Sequence, residues 1–223
     1  MKILIFSDTH LTKVFDQKKF LYLKKIVQEV NKVIINGDFW DGYLSTFEEF
    51  INSPWKQLFP YLKDKKSVYI FGNHDKKEWS DKRINQFSDL QTDQFTLSLN
   101  KNTYIIEHGH RLNPSGNILL LLVKFEHILT GTYSVVKIFS SIQQLIINVF
   151  GVNFYKILRK RANSQIKRRF INNQDNKYYV FAHTHCAEID FKNNFVNSGM
   201  IRLGIGQYIL INKDEIKLNE ESY

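Results

Sequence analysis

A single cysteine, Cys186, in 223 residues excludes an internal disulfide. The chain is therefore not a disulfide-stapled secreted scaffold, and a reducing compartment is the expectation. No apolar run reaches the ~18 uninterrupted residues that a membrane-spanning helix needs. The first apolar run, Ile3 to Phe6, is too short for a signal peptide and no small-residue cleavage site follows it. Internal repeats and low-complexity linkers are absent as well. A cytoplasmic protein is expected, with room for peripheral contact at the inner face of a membrane. One further absence is local: from Ile128 to Gln174 there is no aspartate or glutamate.

What is present points to a folded chain. A hydrophobic fraction of 43% is ordinary for a globular protein, and the length allows one large core with or without an appended subdomain. The net charge of +9 favours acidic partners: phosphates, nucleic acid or an anionic membrane. Lys2–Phe6, Lys32–Asn36 and Ser67–Phe71 read as short buried strands. Between them, Asp16–Val30 has apolar residues near helical spacing behind a plausible Asp16 cap. Leu44–Leu62 looks helical but is interrupted by Pro54 and Pro60. This alternation implies an α/β fold with a parallel sheet, whose ligands gather at the carboxyl ends of the strands. Further along, Gln94–Leu99 and Asn102–Glu107 suggest a hairpin around Asn100-Lys101. Lys177–Ala182 is another strand, and short strand candidates at Glu188–Phe191, Asn194–Val196, Gly206–Asn212 and Glu215–Leu218 close the chain.

Six of the seven histidines fall in compact motifs, and only His127 lies outside them. The motifs read Asp8-Thr9-His10, Gly37-Asp38-Phe39-Trp40-Asp41, Gly72-Asn73-His74-Asp75, His108-Gly109-His110 and Ala182-His183-Thr184-His185. Four of them directly follow apolar strand candidates. Each motif alone has a bland reading as a turn or strand-end cap; all five together do not. Imidazole with carboxylate suits Mn, Fe or Zn, whereas an all-oxygen set would favour Mg or Ca. A carboxylate bridging two such ions holds them about 3.5–4 Å apart, as a two-metal phosphoester site requires.

These five motifs, in this order and across nearly the whole chain, resemble those of the calcineurin-like metallophosphoesterases. The resemblance implies a sandwich of two mixed sheets flanked by helices, forming one domain over residues 1–223. It implies two divalent ions, with Mn the preferred metal and Fe or Zn the alternatives. One would be held by Asp8, His10, Asp38 and His185, the other by Asp38, Asn73, His108 and His183, with Asp38 bridging and central to catalysis. His74 would stabilise the phosphate and protonate the leaving oxygen. Asp41 and Asp75 would orient the ligands from behind, and Asn197-Ser198-Gly199 resembles a late element near the site. His110 and Cys186 each sit beside a ligand, and neither has a required role.

Residues 114–174 are expected to form a helical insertion. Asn117–Val123 is strongly apolar, and Val135, Ile138, Phe139, Ile142, Leu145, Ile146, Val149 and Phe150 mark one helical face. Lys137, Lys156, Arg159, Lys160, Arg161, Lys167, Arg168 and Arg169 make this segment strongly basic. A solvated face normally carries both signs of charge, so an apolar face beside this cluster suits a phosphorylated lipid or an anionic membrane. Arg159, Lys160 and Arg161 are the candidate substrate contacts. An insertion at this place resembles that of the UDP-2,3-diacylglucosamine pyrophosphatases, which cleave a lipid A precursor beneath a helical lid. Asp38-Phe39-Trp40-Asp41-Gly42-Tyr43 resembles the aromatic-rich motif of that branch, whereas His74 stands where its best-known members carry arginine. The resemblance thus implies hydrolysis of a phosphoester or pyrophosphate bond, with a nucleotide-linked lipid as the expected substrate. A nuclease is the enzymatic rival, although Arg159–Arg169 has no aromatic for base stacking. A non-catalytic scaffold is the rival of another class, and the complete set of ligand types argues against it.

Overall fold

The computed structural model describes residues 1–112, 132–170, 176–213 and 215–223. Three apolar runs form its centre: β1 (Lys2–Phe6), β2 (Lys32–Asn36) and β3 (Val68–Ile70) lie parallel and side by side. In β1, Leu4 and Phe6 join one core while Ile3 and Ile5 join another. Side chains alternate across a strand, so a strand buried on both faces must be apolar at every position. That is why the run reads KILIF and not as an alternating pattern. A short β4 (Leu90–Thr92), not anticipated from the sequence, adds a parallel edge to β3.

Helix α1 (Gln17–Gln28) begins where Asp16 accepts a 3.1 Å hydrogen bond from the Lys19 amide. It buries Phe20, Leu23, Ile26 and Val27 against the sheet. The helix expected over Leu44–Leu62 is instead three pieces: α2 (Phe47–Ile51), a 3₁₀ turn at Pro54–Leu58 and α3 (Phe59–Asp64). Each proline sits in the first turn of a new piece, where its missing N–H leaves no bond unmade.

A second sheet has the order β5-β6-β7-β9-β8, from β5 (Gln94–Leu99), β6 (Asn102–Glu107), β7 (Lys177–Phe181), β8 (Glu188–Asp190) and β9 (Phe195–Asn197). β5 and β6 form the expected hairpin, with Asn100 in the left-handed region at φ 53°. The chain then returns to the first sheet through β10 (Ile201–Arg202), β11 (Ile205–Asn212) and β12 (Glu215–Ser222), and β11 runs antiparallel beside β1. Both sheets are mixed. They face each other across a core of Ile3, Ile5, Ile34 and Ile70 on one side and Tyr104, Ile106, Val180 and Val196 on the other.

The helical segment α4 (Thr132–Phe170) is broken at Gly151, whose φ of 80° and ψ of 167° end one helix and start the next. Ile166 packs on Tyr179, Phe181 and Phe195, the outer face of the second sheet. Ile147 and Tyr155 pack on Met200 and Ile205. Of the apolar face read from the sequence, Ile142, Leu145, Val149 and Phe150 are exposed. Ile146 of the same face packs beside Ile147 and Tyr155, so its described positions are split between solvent and core, and the side chains of Val135, Ile138 and Phe139 lie outside the described residues. Asn117–Val123 and His127 lie outside the described residues. Among the described residues no helix is long and apolar enough to cross a membrane.

Candidate metal centre

Each motif occupies the turn after a strand: Asp8 follows β1, Asp38 follows β2, Asn73 follows β3, His108 follows β6 and His183 follows β7. The turns are tight enough to force non-glycine residues into the left-handed region. Asp8 (φ 51°), His10 (45°), Asp38 (52°), His183 (65°) and His185 (57°) all lie there. Such conformations cost roughly 1–3 kcal/mol each and persist only where the surroundings over-determine them. Gly37 (φ 80°) and Gly72 allow the close approaches, since a β-carbon at either position would run into the His108 ring or the Asp38 carboxylate.

Besides His10, Asp41 and His74, whose ligand atoms also lie within 4.8 Å of one another, two groups of donor atoms result. In the first, His185 Nε2 lies 3.1 Å from Asp8 Oδ1 and 3.4 Å from His10 Nε2. In the second, His108 Nε2 lies 3.2 Å from Asp38 Oδ2 and 3.3 Å from Asn73 Oδ1. His183 joins this second group, its ligand atom within 4.8 Å of those of Asp38 and His108. Asp38 Oδ2 also lies 3.8 Å from His10 Nε2. One carboxylate oxygen therefore faces both groups.

The donor set fits divalent metal. Asp8 Oδ1 and Asp38 Oδ2 are buried without a hydrogen-bond partner among the described residues. A buried carboxylate oxygen left in that state is costly unless a cation compensates it. The ring nitrogens that point inward are flanked by others fixed from behind. His10 Nδ1 meets Asp41 Oδ2 at 3.2 Å and His108 Nδ1 meets the Asn36 carbonyl at 2.8 Å. Such partners set the tautomer that leaves Nε2 free to coordinate.

The model of the calcineurin-like phosphoesterase family matches residues 1–187. The chain belongs to this family. In the structural comparison it is similar to Yfce, a phosphoesterase from E. coli, at 13% identity and a TM-score of 0.50, covering 100% of this chain and 99% of that one. It is also similar to an archaeal phosphodiesterase, at 18% identity and a TM-score of 0.49 over 100% of both chains. Wild-type Vps29 from Entamoeba histolytica, complexed with Zn²⁺, is similar at 13% identity and a TM-score of 0.49, with 100% and 99% covered. No curated protein matched in the sequence comparison. At these identities the structural likeness concerns the fold alone.

In this calcineurin-like phosphoesterase, Asp75 ties the turn after β2 to β3 and to its own turn. Its Oδ1 accepts from the amides of Asp38 (3.0 Å) and Gly72 (2.7 Å), and its Oδ2 from the Phe39 amide (2.7 Å) and the Tyr69 hydroxyl (2.6 Å). Burial, reinforced by Asp38, lifts its carboxyl to about 6. His74 donates its amide to Asp38 Oδ1 at 2.8 Å, and its Nδ1 lies 3.1 Å from Asp41 Oδ1. Its side chain is 23% exposed where that of His10 is 3%, which places His74 at the mouth of the site.

Electrostatics divide the histidines. Burial lowers His10 and His183 to about 3, aided by the neighbouring cations His74 and His108 respectively, and pushes His185 well below its usual value with help from Arg159 and Arg202. These rings are neutral, as a metal ligand must be. Burial also opposes charge on His108 and His74, yet carboxylates outweigh it: Asp38 lifts His108 to about 10 in the metal-free chain, a proton this ring would release on coordinating an ion, and Asp41 with Asp38 lifts His74 to about 9. Asp38 itself is held well below the carboxylate range by His108 and His74 despite its burial.

His110 packs its ring 5.5 Å from that of His108 and 6.3 Å from that of His183, with no hydrogen-bond partner for Nδ1 among the described residues. Arg159 lies with its guanidinium 5.4 Å from the Tyr155 ring centre, beside His185. Lys160 and Arg161 are exposed, and no contact joins either to the site among the described residues. Two buried residues of α4, Tyr155 and Asn163, reach the His183–His185 turn and were not anticipated. A mid-helix asparagine, a poor helix former, is the only sequence signal that pointed to either.

Proposed function

We propose that this chain is a dinuclear-metal phosphoesterase that hydrolyses a phosphoester or pyrophosphate bond. The observation that carries this reading is the shared Asp38 Oδ2, which faces His10 on one side and His108 on the other. Asp8, His10, Asp38 and His185 would hold one ion; Asp38, Asn73, His108 and His183 would hold the second, and the mixed nitrogen and oxygen donors suit Mn, Fe or Zn. Divalent ions at these positions supply Lewis acidity, neutralising phosphoryl charge and lowering the pKa of water. The protein's own residues do the rest. Asp41 and the Asn36 carbonyl fix the imidazoles, and Asp75 fixes the turn that presents Asp38. His74, cationic near neutral pH and open at the mouth, binds the phosphoryl oxygen and delivers a proton to the leaving oxygen.

For the substrate, a nucleotide-linked lipid such as UDP-2,3-diacylglucosamine is favoured by the surface of α4. Exposed Leu145, Val149, Phe150, Phe154, Ile157 and Leu158 stand beside exposed Lys160 and Arg161, an apolar surface next to basic charge that fits an acyl chain with an anionic head or the surface of an anionic membrane. Arg159, whose guanidinium lies 5.4 Å from the Tyr155 ring centre, is the candidate contact to the diphosphate. Turnover of UDP-diacylglucosamine should exceed that of UDP-glucosamine, UDP-glucose and an aryl phosphodiester. Equal turnover of all four would remove the lipid assignment and leave the phosphoesterase reading.

A further inference from the structure

The three imidazoles His10, His108 and His185 share one arrangement: Nε2 points into the centre and Nδ1 points out of it. Behind His10 stands the Asp41 carboxylate, and behind His108 the Asn36 carbonyl. Behind His185 stands the hydroxyl of Tyr155, 3.4 Å from Nδ1. The first two partners come from the loops and strands of the first sheet. The third comes from α4, outside both sheets. Tyr155 is 2% exposed, and its ring is wedged among Ile147, Met200 and Ile205, so the hydroxyl has little freedom to move.

The same helix grips the turn a second time. Asn163 is fully buried, and its amide is saturated. Its Nδ2 donates to the Cys186 carbonyl (2.9 Å) and to Glu188 Oε2 (2.8 Å). Its Oδ1 accepts from Thr184 Oγ1 (2.6 Å) and Asn197 Nδ2 (3.3 Å). Thr184 lies between the two histidines and Cys186 directly after them, so these bonds hold the stretch in which His183 and His185 are both left-handed. Lys167 adds ion pairs to Glu188 (2.5 Å) and Asp190 (2.6 Å) on the strand that follows.

Resting on the metal-centre reading above, we propose that Tyr155 is a positioning residue for His185, with Asn163 securing the turn that carries it. With Nε2 coordinating, the proton of the neutral ring sits on Nδ1 and is donated to the Tyr155 oxygen. That bond fixes ring orientation and basicity in the way a carboxylate or carbonyl does behind other metal-bound histidines. α4 is on this account part of the metal centre's scaffold.

The test is Tyr155→Phe in the full chain, which removes the hydroxyl and keeps the wedged ring. Mn²⁺ affinity is read by chelator competition, together with the thermal midpoint of the metal-free protein. One of two Mn²⁺ ions should bind about 10–100-fold more weakly, with the second ion and the midpoint unchanged. Two ions bound with wild-type affinity would overturn the assignment. So would equal weakening of both with a lowered midpoint, since that is what a packing defect produces. Failure of the wild-type chain to bind Mn²⁺ would overturn this inference and the metal-centre reading together, whereas the first two outcomes leave the reading standing.

Discussion

His74 differs from the other motif histidines in kind. Its amide holds Asp38 Oδ1, its ring is partly exposed, and two carboxylates keep it cationic. His74→Ala removes the ring and leaves the amide, so both ions should stay while kcat on an aryl phosphodiester falls on the order of 10²–10⁴-fold. Unchanged kcat would contradict its role as acid. Gly37 is the converse case, with no side chain to contribute and no room for one. Gly37→Ala puts a β-carbon into the His108 ring at a backbone angle that alanine rarely adopts. Metal analysis should show the ion of the Asn73, His108 and His183 group lost first; full retention would contradict the packing account. Most candidate ligands were legible because each ends an apolar strand in a short motif. Tyr155 was not, because 30 positions, with the rest of α4 and β7 among them, separate it from His185, and an isolated tyrosine in an amphipathic helix reads as ordinary core.

At the scale of elements, α1 carries a buried lysine. Lys19 donates to the Thr9 carbonyl, and burial, with Arg202 nearby, lowers its ammonium to about 7. The unfolded value is about 10.4, so between these values the unfolded chain binds the additional proton. Stability from this group is therefore present above about pH 10 and lost as pH falls through 7. Denaturant unfolding of wild type and Lys19→Met should show the wild type gaining relative stability from pH 7 to pH 10; parallel profiles would contradict the lowered pKa of Lys19. Element types were mostly readable from periodicity, α1 down to its Asp16 cap. Leu44–Leu62 misled because its apolar spacing continues through Pro54 and Pro60, which start new turns and do not merely kink one helix. β4 was missed because three residues are too few to show a period.

At the scale of the molecule, the parallel order of β1, β2 and β3 followed from the strand–helix alternation. The return of β11 to the edge of β1 did not, because an alternating strand does not name its partner. The two sheets bring turns from five distant parts of the chain to one end of the sandwich, where seven motif residues converge in two groups. α4 covers the outer face of the second sheet and reaches the same end through Tyr155 and Asn163. Asp38 alone belongs to both groups. Metal stoichiometry of Asp38→Ala beside wild type therefore tests the central claim most directly. Two divalent ions per wild-type chain and neither in the variant is the predicted result, whereas a variant that keeps both ions would contradict the bridging role of Asp38.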